Sequence, residues 1–549
     1  MQSTYTGYVG RAEWRWVSVV TALVVILTTL PYLVVAFYPS SEHFLGVLYH
    51  YQDGAVYLSK MMQGAQGAWL VHFQHTPEPH LSALIYPIYI ILGQLARLSF
   101  IPIVLVFHVV RLLSMLVMCS ALYQLGASIW VKVRARRIFF IIVMFGSGFG
   151  WLVAIVSGGD FSTPDLTMPS IYPLYASIVN VHYPLTIAFL ALLATVFVHV
   201  FRPGFEANPT VDNGGAIAFL VGIVLAFLYQ EALLAIVVAV IGSTLAQWIL
   251  QRKVTAMEYR WALWFIVPSL PIVLYYIVVS ASNSAVELWL SQRTGMLPSL
   301  PLMLLGFGLP LILAIPGLVR ALRRFEPDGD RFMLLWIFSM VVSCLVSTNG
   351  RANYLAGLMI PLAYFATRAI EDFWFKKIVL RRAYQQQLYI VFVPLIALTN
   401  IFVLLLPVHG VLQNQPIGAF VSNDYREAFR WLADHTTTNQ VVLAAPDVGT
   451  WVPVEVGARA YYGHPIETLH ARQRLGEVNQ FYSAESVDDC IFIEDADFIQ
   501  QNQFLVPYVL FGPQEAAIGT PPCLNDFVLV TQYGNVEIYA TQFASANPE

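Results

Sequence analysis

The chain has 549 residues, 58% of them apolar and only 11% charged, with a net charge of −4 and a mean hydropathy of +0.65. Soluble domains carry roughly 25% charged residues, so most of this chain lacks the polar surface needed to face water and must use lipid as its solvent. The near-neutral charge, with no large basic block, excludes a nucleic-acid footprint, and the absence of alternating segments of ~10 residues excludes a membrane β-barrel.

The apolar runs are about 18 to 24 residues long, which matches ~30 Å of hydrocarbon at ~1.5 Å per helical residue. The first, Trp16 to Phe37, is too long for a signal-peptide core and no small-residue cleavage site follows it, so it reads as a retained signal anchor. Basic residues then set the orientation, because cytoplasmic loops are enriched in Lys and Arg. They are Arg11 and Arg15; Lys132, Arg134, Arg136 and Arg137; Arg202; Arg252, Lys253 and Arg260; Arg320, Arg323 and Arg324; and Lys376, Lys377, Arg381 and Arg382. Keeping all of them inside predicts about eleven crossings, near 17–38, 106–129, 138–157, 184–201, 215–230, 232–250, 261–281, 300–320, 331–347, 353–370 and 388–408. The N-terminus is then cytoplasmic in a multi-pass plasma-membrane protein, and the C-terminal part is extracytoplasmic. Leu81 to Leu98 breaks the pattern, since a crossing there would put the Lys132–Arg137 cluster outside. Pro87 and the shortness of the run favour a helix lying in or partly entering the outer leaflet; the other reading is a true crossing that departs from the charge rule.

The outer loops are residues 39–80 (to about 105 with the shallow helix), 158–183, 282–299 and 348–353, and they hold Asp53, Glu78, Asp160, Asp165, Glu287 and most histidines, His80 among them. No phosphate-cradling G-x-x-x-x-G-K-[ST] lies on the inner side, which leaves ATP-driven transport without support. Asp53 in YHYQDGAVYLSKMMQG reads first as a helix N-cap, with Val56, Tyr57, Lys60 and Met61 forming an amphipathic turn suited to the membrane interface. Arg111, inside an apolar run, is either snorkelling to headgroups or held for an anionic lipid phosphate. His182 in NVHYP reads first as a satisfied loop histidine, and Gln230 and Glu231 as the tip of a hairpin. Arg351, in STNGRANYLAG, is either a rim ion pair or a second phosphate contact.

From about Asn414 the pattern changes to that of a water-soluble domain. The spacing predicts a helix over 424–434, strands at 440–445 and 458–462, a helix near 468–482 and strands at 527–531 and 536–539, which is one small α/β domain. His464, Glu467 and His470 cluster after the second strand and read first as a structural loop cluster, with a metal or acid–base site as the other reading. Of the four cysteines, Cys119 and Cys344 lie in apolar runs as core filler. Cys490 and Cys523 can pair if the tail faces an oxidising compartment.

Taken in order, these features resemble the GT-C superfamily of membrane glycosyltransferases, which includes protein O-mannosyltransferases, aminoarabinose transferases and Rgt-type sugar transferases. The resemblance covers about residues 1–408 as a GT-C-like transmembrane domain, followed by an extracytoplasmic α/β domain over 409–549. In that family the first helix leads into a large outer loop with an early acidic residue that serves the transfer; Gln52-Asp53-Gly54, followed by Tyr57, stands there, with one acidic residue where the family often has two. Shallow helices close the family's loop, as 81–98 does here. Arg111-Leu112-Leu113-Ser114 is similar to the family's Arg ahead of a small-residue helix. Arg351-Ala352-Asn353-Tyr354 with Pro361 is similar to its late R-x-Y segment, with one extra residue before the Tyr.

The resemblance implies an inverting glycosyltransferase that uses a polyprenyl-phosphate sugar, with Asp53 as general base, Arg111 and Arg351 on the donor phosphate, and Asp165, His182, Glu231, Glu78 and His80 toward sugar or acceptor. Glycan, lipid and protein all stay open as acceptor. The resemblance fixes no cofactor and admits a divalent metal (Mg or Mn). A transporter or flippase is the competing reading, but it predicts paired broken helices in two related halves, and the sequence shows no such symmetry. A non-catalytic assembly or sensor protein, with the tail as its binding module, is the third.

Overall fold

The computed structural model describes residues 7–40, 42–201, 213–252, 256–293, 297–327, 329–375, 392–413 and 418–544. Each of the eleven expected apolar runs carries a helix. Seven helical stretches among the described residues are long and apolar enough to cross a membrane: Arg11–Phe37, Ile103–Ile129, Val133–Ser157, His182–Val200, Gln230–Leu250, Tyr259–Ser282 and Leu300–Arg324. Shorter helices take the other four runs, at Gly214–Leu228, Asp330–Val346, Met359–Ala369 and Leu398–Leu412. The chain is a helical polytopic membrane protein with a small mixed sheet near its C-terminal end. Arg202, Lys253 and the 376–382 basic cluster lie outside the described residues.

The chain divides into two compact units. The first is Met1–Pro31, His108–Tyr276 and Thr294–Val408. Within it, Val133–Ser157 is broken at residues 146–149, and Asp165 braces the break. Its Oδ2 accepts from the Gly148 and Gly150 amides at 2.9 and 3.1 Å, its Oδ1 accepts from the Thr163 hydroxyl, and the residue is fully buried. The Leu300–Arg324 helix kinks opposite, at Gly308 (φ 41°), which frees the Leu305 carbonyl to accept from the Phe149 amide at 2.8 Å.

The second unit draws on three stretches of sequence: Tyr32–Phe107, Ile277–Arg293 and His409–Glu549. Its Tyr51–Ala65 helix crosses the Pro87–Ser99 helix at Gly64 and Gly93. A methyl group on Gly93 would stand 2.0 Å from the Met61 carbonyl oxygen, and one on Gly64 2.3 Å from that of Ile90. Only glycine permits so close a crossing. Pro87–Ser99 has 13 residues, about 20 Å at the helical rise, which is shorter than the hydrocarbon core. The turn of Val56, Tyr57, Lys60 and Met61, expected at the membrane interface, is instead buried inside this unit. Tyr57 stacks on Tyr89, with ring centroids 4.5 Å apart.

The tail forms a five-stranded sheet in the order Arg459–Ala460, Val441–Leu443, Tyr508–Phe511, Val536–Ala540, Val528–Tyr533. The first three strands run parallel and the last two pair antiparallel. Its central strand, Tyr508–Phe511, is the one the sequence pattern misses. Cys490 and Cys523 are disulfide-bonded across 33 residues and buried in the tail's core with Phe481, Phe504 and Phe527. Cys119 and Cys344 are buried free thiols. Glu42–Phe44 of the first loop pairs antiparallel with Phe420–Ser422 of the tail.

Candidate active site

The site in the second unit is built on the start of the Tyr51–Ala65 helix. His50 caps that helix in the left-handed region (φ 48°) without a side-chain cap hydrogen bond. Asp53 is therefore a residue of the first turn and not the N-cap the sequence suggests. A carboxylate in that turn is favoured by the positive end of the helix dipole. Its side chain is 42% exposed, whereas nearly everything after it on the helix is buried. His50 Nδ1 stands 3.8 Å from Asp53 Oδ2; burial lowers the pKa of His50, against the raising influence of Asp53.

A tail residue meets Asp53 from the other side. His464 Nε2 lies 3.3 Å from Asp53 Oδ1, and the His464 side chain is only 4% exposed. His464 Nδ1 accepts from the Ile466 and Glu467 amides, each at 3.0 Å, so in the neutral ring the proton is assigned to Nε2 and faces the carboxylate. The His75 ring stands edge-on to it at 6.4 Å. Burial holds His75 at about 3, well below the ordinary histidine value, and its Nε2 donates to the Thr450 carbonyl. Two residues before Asp53, the Tyr51 hydroxyl donates to Asp447 at 3.2 Å; burial and that carboxylate push Tyr51 up to about 12.

Two helical turns along from Asp53, Lys60 donates to Glu467 Oε1 at 3.1 Å. The indole N–H of Trp289 donates to the same oxygen, also at 3.1 Å. The Lys60 ammonium lies 5.4 Å from the Tyr86 ring centroid. Glu78 and His80 build the loop beside this helix. Glu78 accepts from Arg474 Nε at 2.7 Å. His80 Nε2 accepts from the Phe73 amide, and its Nδ1 donates to the Glu78 carbonyl. His470 is exposed and caps the Ala471–Tyr482 helix, apart from the His464–Asp53 contact.

Mg and Mn favour oxygen ligands, carboxylates above all. Two imidazoles stand beside Asp53, and among the described residues no group of three His, Cys, Asp or Glu is arranged to hold a metal ion. The residues described here do not fit such an ion.

In the first unit, three more sequence-derived candidates fall into one cluster. Tyr229 sits alone between the Gly214–Leu228 and Gln230–Gln251 helices, and its hydroxyl donates to Asn353 Oδ1 at 3.0 Å. Asn353 Nδ2 donates to Glu231 Oε1 at 3.1 Å, and the His182 ring stacks over Tyr229 with centroids 6.1 Å apart. Arg351 opens the same Arg351–Leu355 turn as Asn353; it is exposed, and its Nε donates to the Ser347 carbonyl at 2.8 Å. Arg111 lies inside the unit, 1% exposed, donating to the Ser177 carbonyl at 2.6 Å and the Thr28 carbonyl at 3.5 Å. It faces protein and does not snorkel. Asp165 is spent on the break it braces. His464 is the residue that sequence reasoning missed as a partner of Asp53; the polar trio after the second strand was its only signal.

No family model and no curated protein matches the sequence. Among solved structures, ArnT from Cupriavidus metallidurans bound to undecaprenyl phosphate is similar over 97% of this chain and 99% of its own, at 13% identity and TM-score 0.55. The Archaeoglobus fulgidus oligosaccharyltransferase in the apo form is similar over 92% of this chain and 71% of its own, at 13% identity and TM-score 0.54. The mycobacterial arabinofuranosyltransferase AftD is similar at 14% identity and TM-score 0.50; this chain spans 40% of its length.

Proposed function

We propose that this chain, which has the fold of the GT-C membrane glycosyltransferases, transfers a sugar from a polyprenyl-phosphate donor to an acceptor hydroxyl at the extracytoplasmic face. The observation that carries the reading is Asp53, a part-exposed carboxylate at the start of an otherwise buried helix, with one oxygen faced by a buried N–H donor. Asp53 takes the proton of the acceptor hydroxyl as that oxygen attacks the anomeric carbon. The bond from that carbon to the donor phosphate breaks, and its electron pair leaves with the lipid phosphate. A single displacement inverts the anomeric centre.

The departing phosphate gains negative charge, and charge-assisted hydrogen bonds from guanidinium groups suit that task. Arg351, exposed at the head of its turn, is the phosphate contact in this reading. Arg111 supports the helices around it. The His182–Tyr229–Asn353–Glu231 cluster offers hydroxyl, amide and carboxylate groups of the kind that hold sugar hydroxyls, while Glu78, His80 and Asp165 keep the loops in shape. The acceptor is a glycan, lipid or protein hydroxyl.

The test is incubation of the purified full-length chain with a panel of polyprenyl-phosphate sugars, reading release of polyprenyl phosphate. Release from one or more donors is the expected result. No release from any of them, with folded protein, removes the reading.

A further inference from the structure

We infer that His464 of the tail is a positioning residue for Asp53, so that the water-soluble tail completes the reacting carboxylate; this rests on the reading of Asp53 as the base.

Backbone groups hold His464 in place. Its Nδ1 takes two backbone amides, from Ile466 and Glu467, which fixes both the ring plane and the tautomer. Its own amide and that of Gly463 donate to the Thr468 hydroxyl at 3.0 and 3.2 Å, and that hydroxyl donates to the His75 carbonyl at 2.6 Å. The ring can neither flip nor swing without breaking main-chain hydrogen bonds. Its one remaining polar atom, Nε2, lies 3.3 Å from Asp53 Oδ1. That distance is at the long end for a hydrogen bond, as is usual for catalytic contacts before substrate tightens them.

The same short segment of tail also reads the helix at a second point. Glu467 binds Lys60, which lies seven residues after Asp53 and so on the same helical face. Two contacts two turns apart fix both the rotation and the height of the helix against the tail. Asp53 needs this help. An aspartate in a first turn, 42% exposed, has two side-chain torsions to settle. With His464 Nε2 3.3 Å from Oδ1 and His50 Nδ1 3.8 Å from Oδ2, the two rings set the orientation in which the carboxylate meets the acceptor hydroxyl. A loop histidine kept only for packing needs no buried N–H directed at a part-exposed carboxylate.

The experiment compares Asp53→Asn, His464→Ala and His464→Gln in the full-length chain, on the polyprenyl-phosphate sugar that the wild-type chain consumes. Glutamine keeps an N–H at the end of its side chain. Unfolding midpoints are measured alongside, so that a folding failure is seen as such. For His464→Ala, kcat falls about tenfold to a hundredfold, the worth of one hydrogen bond to a charged group, with the donor KM within about twofold of wild type. His464→Gln recovers most of kcat. If Asp53→Asn loses transfer while His464→Ala keeps wild-type kcat, the positioning role is overturned and the base stands. Equal losses in the Ala and Gln variants that track their unfolding midpoints also overturn it, since packing alone then explains the effect. If Asp53→Asn keeps transfer, the base falls and this inference with it.

Discussion

Lys60 and Glu467, 407 residues apart in sequence, form an ion pair 3.1 Å long with side chains 3% and 7% exposed. It joins the first loop to the tail inside the second unit. The Trp289 indole, from a third stretch of sequence, donates to the same carboxylate oxygen, whose partner oxygen Oε2 is buried without a hydrogen bond. Three separate segments therefore meet at one carboxylate.

Removing one member of this pair leaves a buried charge uncompensated. Lys60→Met is expected to cost about 3–5 kcal/mol, whereas Lys60→Met with Glu467→Gln costs much less, because no lone charge remains and Trp289 keeps an acceptor. Unfolding midpoints of the two single variants and the double variant check this. A double variant as unstable as the sum of the singles would refute it.

Asp53→Asn keeps size and polarity but cannot take a proton. Transfer should fall by about 10²- to 10⁴-fold, while membrane insertion and the unfolding midpoint stay near wild type. The measurement is polyprenyl-phosphate release per mole of folded protein, and wild-type turnover would dismiss Asp53 from the chemistry.

The two arginines should separate cleanly. Arg351→Ala removes an exposed guanidinium and is expected to raise the donor KM about tenfold, with stability unchanged. Arg111→Ala leaves the buried Ser177 and Thr28 carbonyls short of a donor, and is expected to cost about 1–3 kcal/mol of stability. The opposite pattern, with Arg111 acting on KM alone and Arg351 on stability alone, would reverse the assignment.

Acid should loosen the second unit. His75 is 2% exposed and sits at about 3 when folded, against 6.5 as the ordinary value, because burial disfavours its charge. Its folded pKa is depressed, so its contribution is fully present above 6.5 and is lost as pH falls from there toward 3. Between pH 7.5 and pH 5, His75 alone should cost about 2 kcal/mol. His72, also held at about 3 by burial, acts in the same direction. Unfolding midpoints over that range check it, and His75→Gln should flatten the slope; an unchanged slope would show that other groups set it.

Much of the fold was legible because it follows from local pattern. Apolar length located all eleven helical runs, and the run that holds Pro87 carries a helix of 13 residues. Alternation in the tail found the strands at its ends, yet missed the central one. Tyr508–Phe511 is four residues between Pro507 and Gly512, covered on both sides, and so shows no alternation. The candidate site was half legible. Asp53 stood out by position, but the choice between N-cap and first-turn residue turned on His50 adopting a left-handed conformation, which its residue type does not announce. His464 was visible only as a polar loop residue, since its task depends on a partner more than four hundred positions earlier. Lys60 was read as an interface residue because its counter-charge lay equally far along the chain. Periodicity reports what a helix face wants buried, but not which distant segment will cover it.

The three-part make-up of the second unit has a consequence for biosynthesis. A ribosome delivers the Tyr51–Ala65 helix early and the segment bearing His464 and Glu467 some four hundred residues later, so throughout that interval Lys60 has been translated but its counter-charge has not. The nascent loop must wait, or be shielded by a chaperone, until the segment bearing Glu467 is made. A chain cut short anywhere before residue 464 leaves that loop exposed with an unmatched ammonium and no sheet to rest on, a state that quality-control proteases can recognise.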